Sequence, residues 1–67
     1  MKISEFKFNV YILQNKSLRW YCQAIGEKKD VNIIIEGDTY KYRGNALRSW
    51  RKMANVNGIA KFKMMDE

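Results

Sequence analysis

Near the start of the chain, EFKFNVYIL (Glu5–Leu13) puts Phe6, Phe8, Val10 and Ile12 on one parity and Lys7, Asn9 and Tyr11 on the other. A period of two over this length marks a strand with one face buried and one face wet. Such a strand cannot stand alone, because its backbone needs neighbours and its apolar side needs a cover. The pattern returns in LRWYCQAI (Leu18–Ile25), where Leu18, Trp20, Cys22 and Ala24 alternate with Arg19, Tyr21 and Gln23. The polar run Gln14-Asn15-Lys16-Ser17 between them reads as a turn, so the two segments are expected to pair antiparallel.

Further on, the charged stretch Gly26–Asp30 reads as a loop. VNIIIE (Val31–Glu36) and TYKYR (Thr39–Arg43) flank Gly37-Asp38, which predicts a two-residue hairpin with Gly37 at positive φ. After Gly44, Asn45 is the expected N-cap of a helix of about eleven residues. On a helical wheel Ala46, Leu47, Trp50, Met53 and Ala54 share one side, and Arg48, Arg51, Lys52 and Asn55 share the other. Asn57-Gly58 is a stop signal. The tail Ile59–Met65 sets Ala60, Phe62 and Met64 against Lys61 and Lys63, as a short last strand would. The expected fold class is therefore α+β in one domain over residues 1–67. It is an antiparallel sheet of four to five strands in the order β-β-β-β-α-β, with the amphipathic helix packed on one sheet face through Leu47 and Trp50.

With 67 residues, the chain has little surface to bury and no obvious staple. Its single cysteine, Cys22, has no internal partner for a disulfide, and the absence of histidine leaves too few ligands for a metal site. The expectation is no metal and no cofactor. Cys22 falls in the apolar register of the second strand, where a thiol behaves as a small hydrophobe. No apolar run spans a bilayer, and the N-terminal segment alternates where a signal peptide would be continuously apolar. These features point to a cytoplasmic protein without membrane contact. Lys, Asn and Ile make up 22 residues, an AT-rich codon usage of the kind found in small phage or bacterial accessory proteins. For a phage protein the compartment is the host cytoplasm.

Catalysis is not expected. Without histidine, proton transfer falls to carboxylates or lysines, and Glu27, Asp30, Glu36 and Asp38 lie in or beside predicted turns with no paired spacing. Ser49 has Arg48 beside it and no base.

Charge carries the stronger signal. Residues 1–38 hold six Lys/Arg against five Asp/Glu, whereas residues 39–65 hold Lys41, Arg43, Arg48, Arg51, Lys52, Lys61 and Lys63 against none. Segregated positive charge attracts polyanions, and neutralising phosphates releases counterions. Two surfaces are candidates. One is the helix side with Arg48, Arg51 and Lys52, preceded by Arg43. The other is the outer sheet face, with Lys7, Tyr11, Arg19 and Tyr21, continued by Lys61 and Lys63. Tyrosines among cations make a platform for unstacked bases, although Tyr11 and Tyr21 as a cross-strand pair would serve the hairpin alone. The chain carries no helix-turn-helix partner, recognition-motif octapeptide, GXXG clamp or zinc knuckle.

The leading expectation is a small basic, non-enzymatic nucleic-acid-binding protein, with RNA or single strands favoured over duplex DNA. The alternative is an accessory effector, an inhibitor or antitoxin, that docks the same basic face on an acidic host protein. Self-association through an uncovered sheet edge or the helix is compatible with either.

Overall fold

In a computed structural model the described residues are 3–65. A 3₁₀ turn (Ile3–Glu5) precedes β1 (Lys7–Gln14), β2 (Trp20–Lys28) and β3 (Val31–Glu36), followed by α1 (Arg43–Val56) and β4 (Phe62–Met64). The strands form one sheet in the order β3-β2-β1-β4. β1 pairs antiparallel with β2, and β2 with β3, but β4 lies parallel to β1. The fold is α+β with a mixed four-stranded sheet. The order is β-β-β-α-β, so the expected extra strand before the helix is absent from the described residues. The parallel pair follows from connectivity. β3 runs parallel to β1, and α1 carries the chain from that edge across to the opposite one, as parallel neighbours require.

β1 follows its alternation. Phe6, Phe8, Val10 and Ile12 are buried, with Cys22 and Ala24 opposite the last two of them. α1 adds Ala46, Trp50 and Ala54 to this cluster, and Ile59 joins from the chain beyond it. Trp50 stands edge-on between two aromatics, 6.3 Å from Phe8 and 5.8 Å from Phe62 between ring centroids. The Cys22 thiol donates to the Ala46 carbonyl at 3.4 Å, tying β2 to the helix.

Several boundaries differ from the expected ones, each for a local reason. Leu18 is not in β2. It sits in the turn at φ 62° and is exposed, because the Asn15 side-chain oxygen accepts the N–H groups of Ser17 and Arg19 and organises the turn. Gly26 is not in a loop. β2 continues through it to Lys28, and Lys29-Asp30 forms the two-residue connection, with Lys29 at φ 52°. A Cβ on Gly26 would come within 2.6 Å of the Phe8 ring, so the glycine lets β2 pass close to a buried aromatic.

Gly37-Asp38 makes no hairpin either. The Gly37 N–H donates to the Cys22 carbonyl at 2.9 Å, continuing the β3 ladder at a φ that is not positive. Tyr40 then bridges Trp20 by two mutual 2.7 Å bonds. Asp38 and Thr39 thus oppose the single residue Tyr21, a bulge-like offset that ends regular pairing. Thr39–Arg43 is therefore no strand.

The helix starts at Arg43, capped by the extended backbone of Tyr42 with no side-chain cap bond, so Asn45 is not the cap. At the other end the expected stop is present. Gly58 takes φ 69°, and the Ile59 N–H reaches back to the Ala54 carbonyl at 2.8 Å. That bond turns Ile59 inward and leaves Ala60, expected on the apolar side, exposed.

Candidate nucleic-acid interface

The sheet has two faces, and the register assigns each predicted site residue to one of them. On the face bearing the buried cluster, Phe8 lies beside Gly26 and Phe62, and Val10 beside Ala24 and Met64. The opposite face carries Lys7 opposite Glu27, Asn9 between Ile25 and Lys63, Tyr11 opposite Gln23, and Leu13 opposite Tyr21. On β3 it continues with Asn32, Ile34 and Glu36.

This open face is not a uniform cation platform. Lys7 stands opposite Glu27 in the register, and Glu36 accepts a 3.2 Å bond from Gln23. Lys7 and Lys63 lie toward the β1–β4 side, Glu27 and Glu36 toward β2–β3. Tyr11 and Tyr21 do not pair with each other, since Tyr21 stands opposite Leu13 and Tyr11 opposite Gln23. Both rings are half-buried. Ile25, Leu13 and Ile34 share their face, so its middle is an apolar stripe that the alternation had hidden. Arg19 lies before β2 and is committed to Thr39, donating to its hydroxyl at 3.0 Å and its carbonyl at 3.1 Å. Lys61 and Lys63 are exposed and border a shallow groove of about 270 Å³ with Lys7, Asn9 and Phe62.

The second cation group is on α1. Its buried side holds Ala46, Trp50 and Ala54, so Arg48 and Lys52 project from the outer side, with Arg51 at its flank. Neighbours three and four apart share a helix face. Arg48 is central. It lines one hollow with Gly44, Leu47 and Arg51, and another of about 420 Å³ with Tyr40, Asn45, Ser49 and Lys52. Arg43 does not join them. Its place one turn before Leu47 leaves it half-buried at the helix start.

Sequence reasoning missed Asn45 and Tyr40 as neighbours of this surface. The Tyr40 hydroxyl donates to Ser49 at 2.7 Å, fixing the rim of the hollow. Released from capping, Asn45 stands exposed beside Arg48 and Lys52. Only the helix start could have signalled this, and it has no capping side chain to read. The helix contains no acidic residue, and none stands in its first turn.

The ten predicted residues therefore do not gather on one exterior. Arg48, Arg51 and Lys52 form one group. Lys7, Lys61 and Lys63 form another, across the sheet from the helix. Arg43 stands apart, Arg19 is tied to Thr39, and Tyr11 and Tyr21 lie on the helix-free face.

A cleft of about 190 Å³ between β3 and α1 brings Cys22, Glu36, Asp38, Tyr40, Ser49 and Trp50 together. Its hydroxyls bond each other, its thiol is buried, and the Trp50 indole N–H is buried without a hydrogen-bond partner. Among the described residues no three Cys, Asp or Glu side chains cluster as metal ligands would, and no helix is long and apolar enough to cross a membrane. Compared with known proteins, the chain matches no family model, no curated protein and no solved structure.

Proposed function

We propose that this is a small, non-enzymatic nucleic-acid-binding protein that contacts phosphates through the outer side of α1. One observation carries the reading. Arg48, Arg51 and Lys52 share the exposed side of a helix that has no acidic residue of its own. Adjacent cations repel each other by a few tenths of a kcal/mol, which a merely solvated helix would dilute with carboxylates. A phosphate backbone turns that cost into attraction by releasing counterions. Exposed Asn45 and Asn55 among the cations add donors and acceptors for phosphate or base edges. The positive end of the helix dipole, at Arg43, adds to the same field.

Single strands remain the favoured target, although the two half-buried tyrosines support this less than their sequence positions suggested. Stacking on them requires the strand to use the helix-free face instead.

A titration of a labelled mixed-sequence oligonucleotide over a range of salt concentrations tests the reading. Three neutralised phosphates give a slope of log K against log salt of roughly −2 to −3, from about 0.7 to 0.9 per phosphate. Affinity unchanged by salt would remove the proposal.

A second reading, docking on a protein, is favoured by a different observation. Tyr11, Leu13, Tyr21, Ile25 and Ile34 make an apolar stripe on the open face, rimmed by both signs of charge. Tyrosine-rich surfaces of this kind are common at protein interfaces. A partner retained stoichiometrically from nuclease-treated lysate, and lost on Tyr21→Asp, is the outcome this reading expects.

A further inference from the structure

One hollow beside α1 has an aromatic wall as well as cations. Asn45, Arg48, Ser49 and Lys52 stand at i, i+3, i+4 and i+7, one strip along the helix. Tyr40, from the chain before the helix, closes that strip on one side. Its ring is held at both ends. The Tyr40 N–H and carbonyl each form a 2.7 Å bond with Trp20, and the hydroxyl donates to Ser49 at 2.7 Å. A ring ordered in this way takes a stacked partner without the cost of fixing a mobile side chain. The Ser49 hydroxyl accepts that bond, so its own hydrogen is available to donate.

The same pair divides two charges. Tyr40 and Ser49 also line the cleft between β3 and α1, where Glu36 and Asp38 stand. No carboxylate lines the hollow, where Arg48 and Lys52 are exposed. An anion is therefore drawn to one side of the wall and repelled from the other. Volume points to the same side. The hollow measures about 420 Å³, within the range of about 300–1,000 Å³ usual for small-molecule pockets, whereas the cleft, at about 190 Å³, falls below it.

We propose that this hollow takes one unstacked nucleotide of a single strand, with its base against the Tyr40 ring and its phosphate between Arg48 and Lys52. The inference rests on the nucleic-acid reading above and names the form of the target. A cation pair alone suits any anion. The aromatic wall beside it selects an anion that carries a flat apolar group next to its charge, and every base has such a face. Exposed Asn45 offers a carboxamide to the base edge. Arg48 also borders the neighbouring hollow, with Gly44 and Leu47, so the path continues past one nucleotide, as a strand needs and a free nucleotide does not. A base inside a duplex is closed to the ring, because its neighbours in the stack cover both of its faces.

Two strands of equal length test the proposal, a mixed-sequence oligonucleotide and the same sugar-phosphate backbone without bases, each titrated over a range of salt. The expected result is one salt slope for both, with affinity about tenfold or more higher for the strand that has bases. This comparison uses the unaltered chain and needs no variant to fold. Tyr40→Leu, which keeps an apolar side chain and removes the flat ring, is expected to lose most of the difference and leave the slope unchanged. Tyr11→Leu, on the helix-free face, is expected to keep it. Salt-dependent binding of equal strength to both strands would overturn the stacking site and leave the phosphate reading standing. No salt-dependent binding to either would remove both. A base preference that survives Tyr40→Leu, or is lost with Tyr11→Leu, would also overturn the proposal, as would displacement of the strand by an equal concentration of a nucleoside monophosphate.

Discussion

Gly26 and Gly44 are the same residue type under opposite constraints. At Gly26 a methyl group would press on the ring of Phe8, which is itself buried and flanked by Phe6 and Trp50. Overpacking a site that cannot yield costs about 1–3 kcal/mol. At Gly44, in the first turn of the helix, nothing lies within 4 Å of an added Cβ. There alanine reduces the freedom of the unfolded chain and is expected to stabilise by about 0.4–1 kcal/mol. For a domain this size each kcal/mol moves the midpoint by roughly 4–8 °C. Thermal melts should therefore show Gly26→Ala below wild type and Gly44→Ala above it. Equal shifts in one direction would mean that Phe8 does not fill the space beside β2. The alternation of Phe6, Phe8, Val10 and Ile12 was readable because a strand with one dry face has to show it. Gly26 was not, since a glycine before Glu-Lys-Lys-Asp looks like a turn until the ring facing it is known.

At the scale of elements, the helix face was legible and its beginning was not. Ala46, Trp50 and Ala54 recur at helical spacing and are buried as their spacing implies. The start falls at Tyr42, a residue with no side-chain oxygen able to take an N–H of the first turn. A polar residue there supplies what is missing. Tyr42→Ser is expected to raise stability by about 0.5–1 kcal/mol, less whatever the exposed ring contributes to Lys41, whose ammonium lies 5.6 Å from its centroid. Chemical denaturation with an unchanged m-value would check it. Gly37-Asp38 misled for a related reason. The dipeptide suits a tight turn, but the Cys22 carbonyl was available to its N–H, and pairing with β2 won over reversal. Alternation identified β4 as a strand. It carried no information on which neighbour β4 would choose or in which direction.

For the whole molecule the main departure concerns charge. The cations after Thr39 are uninterrupted by acidic residues as far as Met65, yet the fold sends Arg48, Arg51 and Lys52 to the outside of the helix, and Lys63 to the face on the other side of the sheet. A one-dimensional reading cannot foresee that division, because it depends on α1 crossing the sheet before β4 is laid down. The division has a measurable consequence. Arg48→Glu with Lys52→Glu is expected to lower oligonucleotide affinity by at least tenfold and to flatten the salt slope. Lys63→Glu, with the same charge change per residue, should alter both far less. The reverse ranking in a binding titration would move the contact surface to the sheet.

The pairing of Phe8 with Phe62 joins two residues nearly a whole chain apart. Closing so long a loop costs entropy before the new contacts return anything, so β4 has to be a late arrival in folding. Until it docks, the indole of Trp50 has only one of its two aromatic neighbours. A polypeptide still emerging from the ribosome would hold that ring half-covered until Phe62 had been synthesised, which makes this domain one that matures only after translation has passed its last strand.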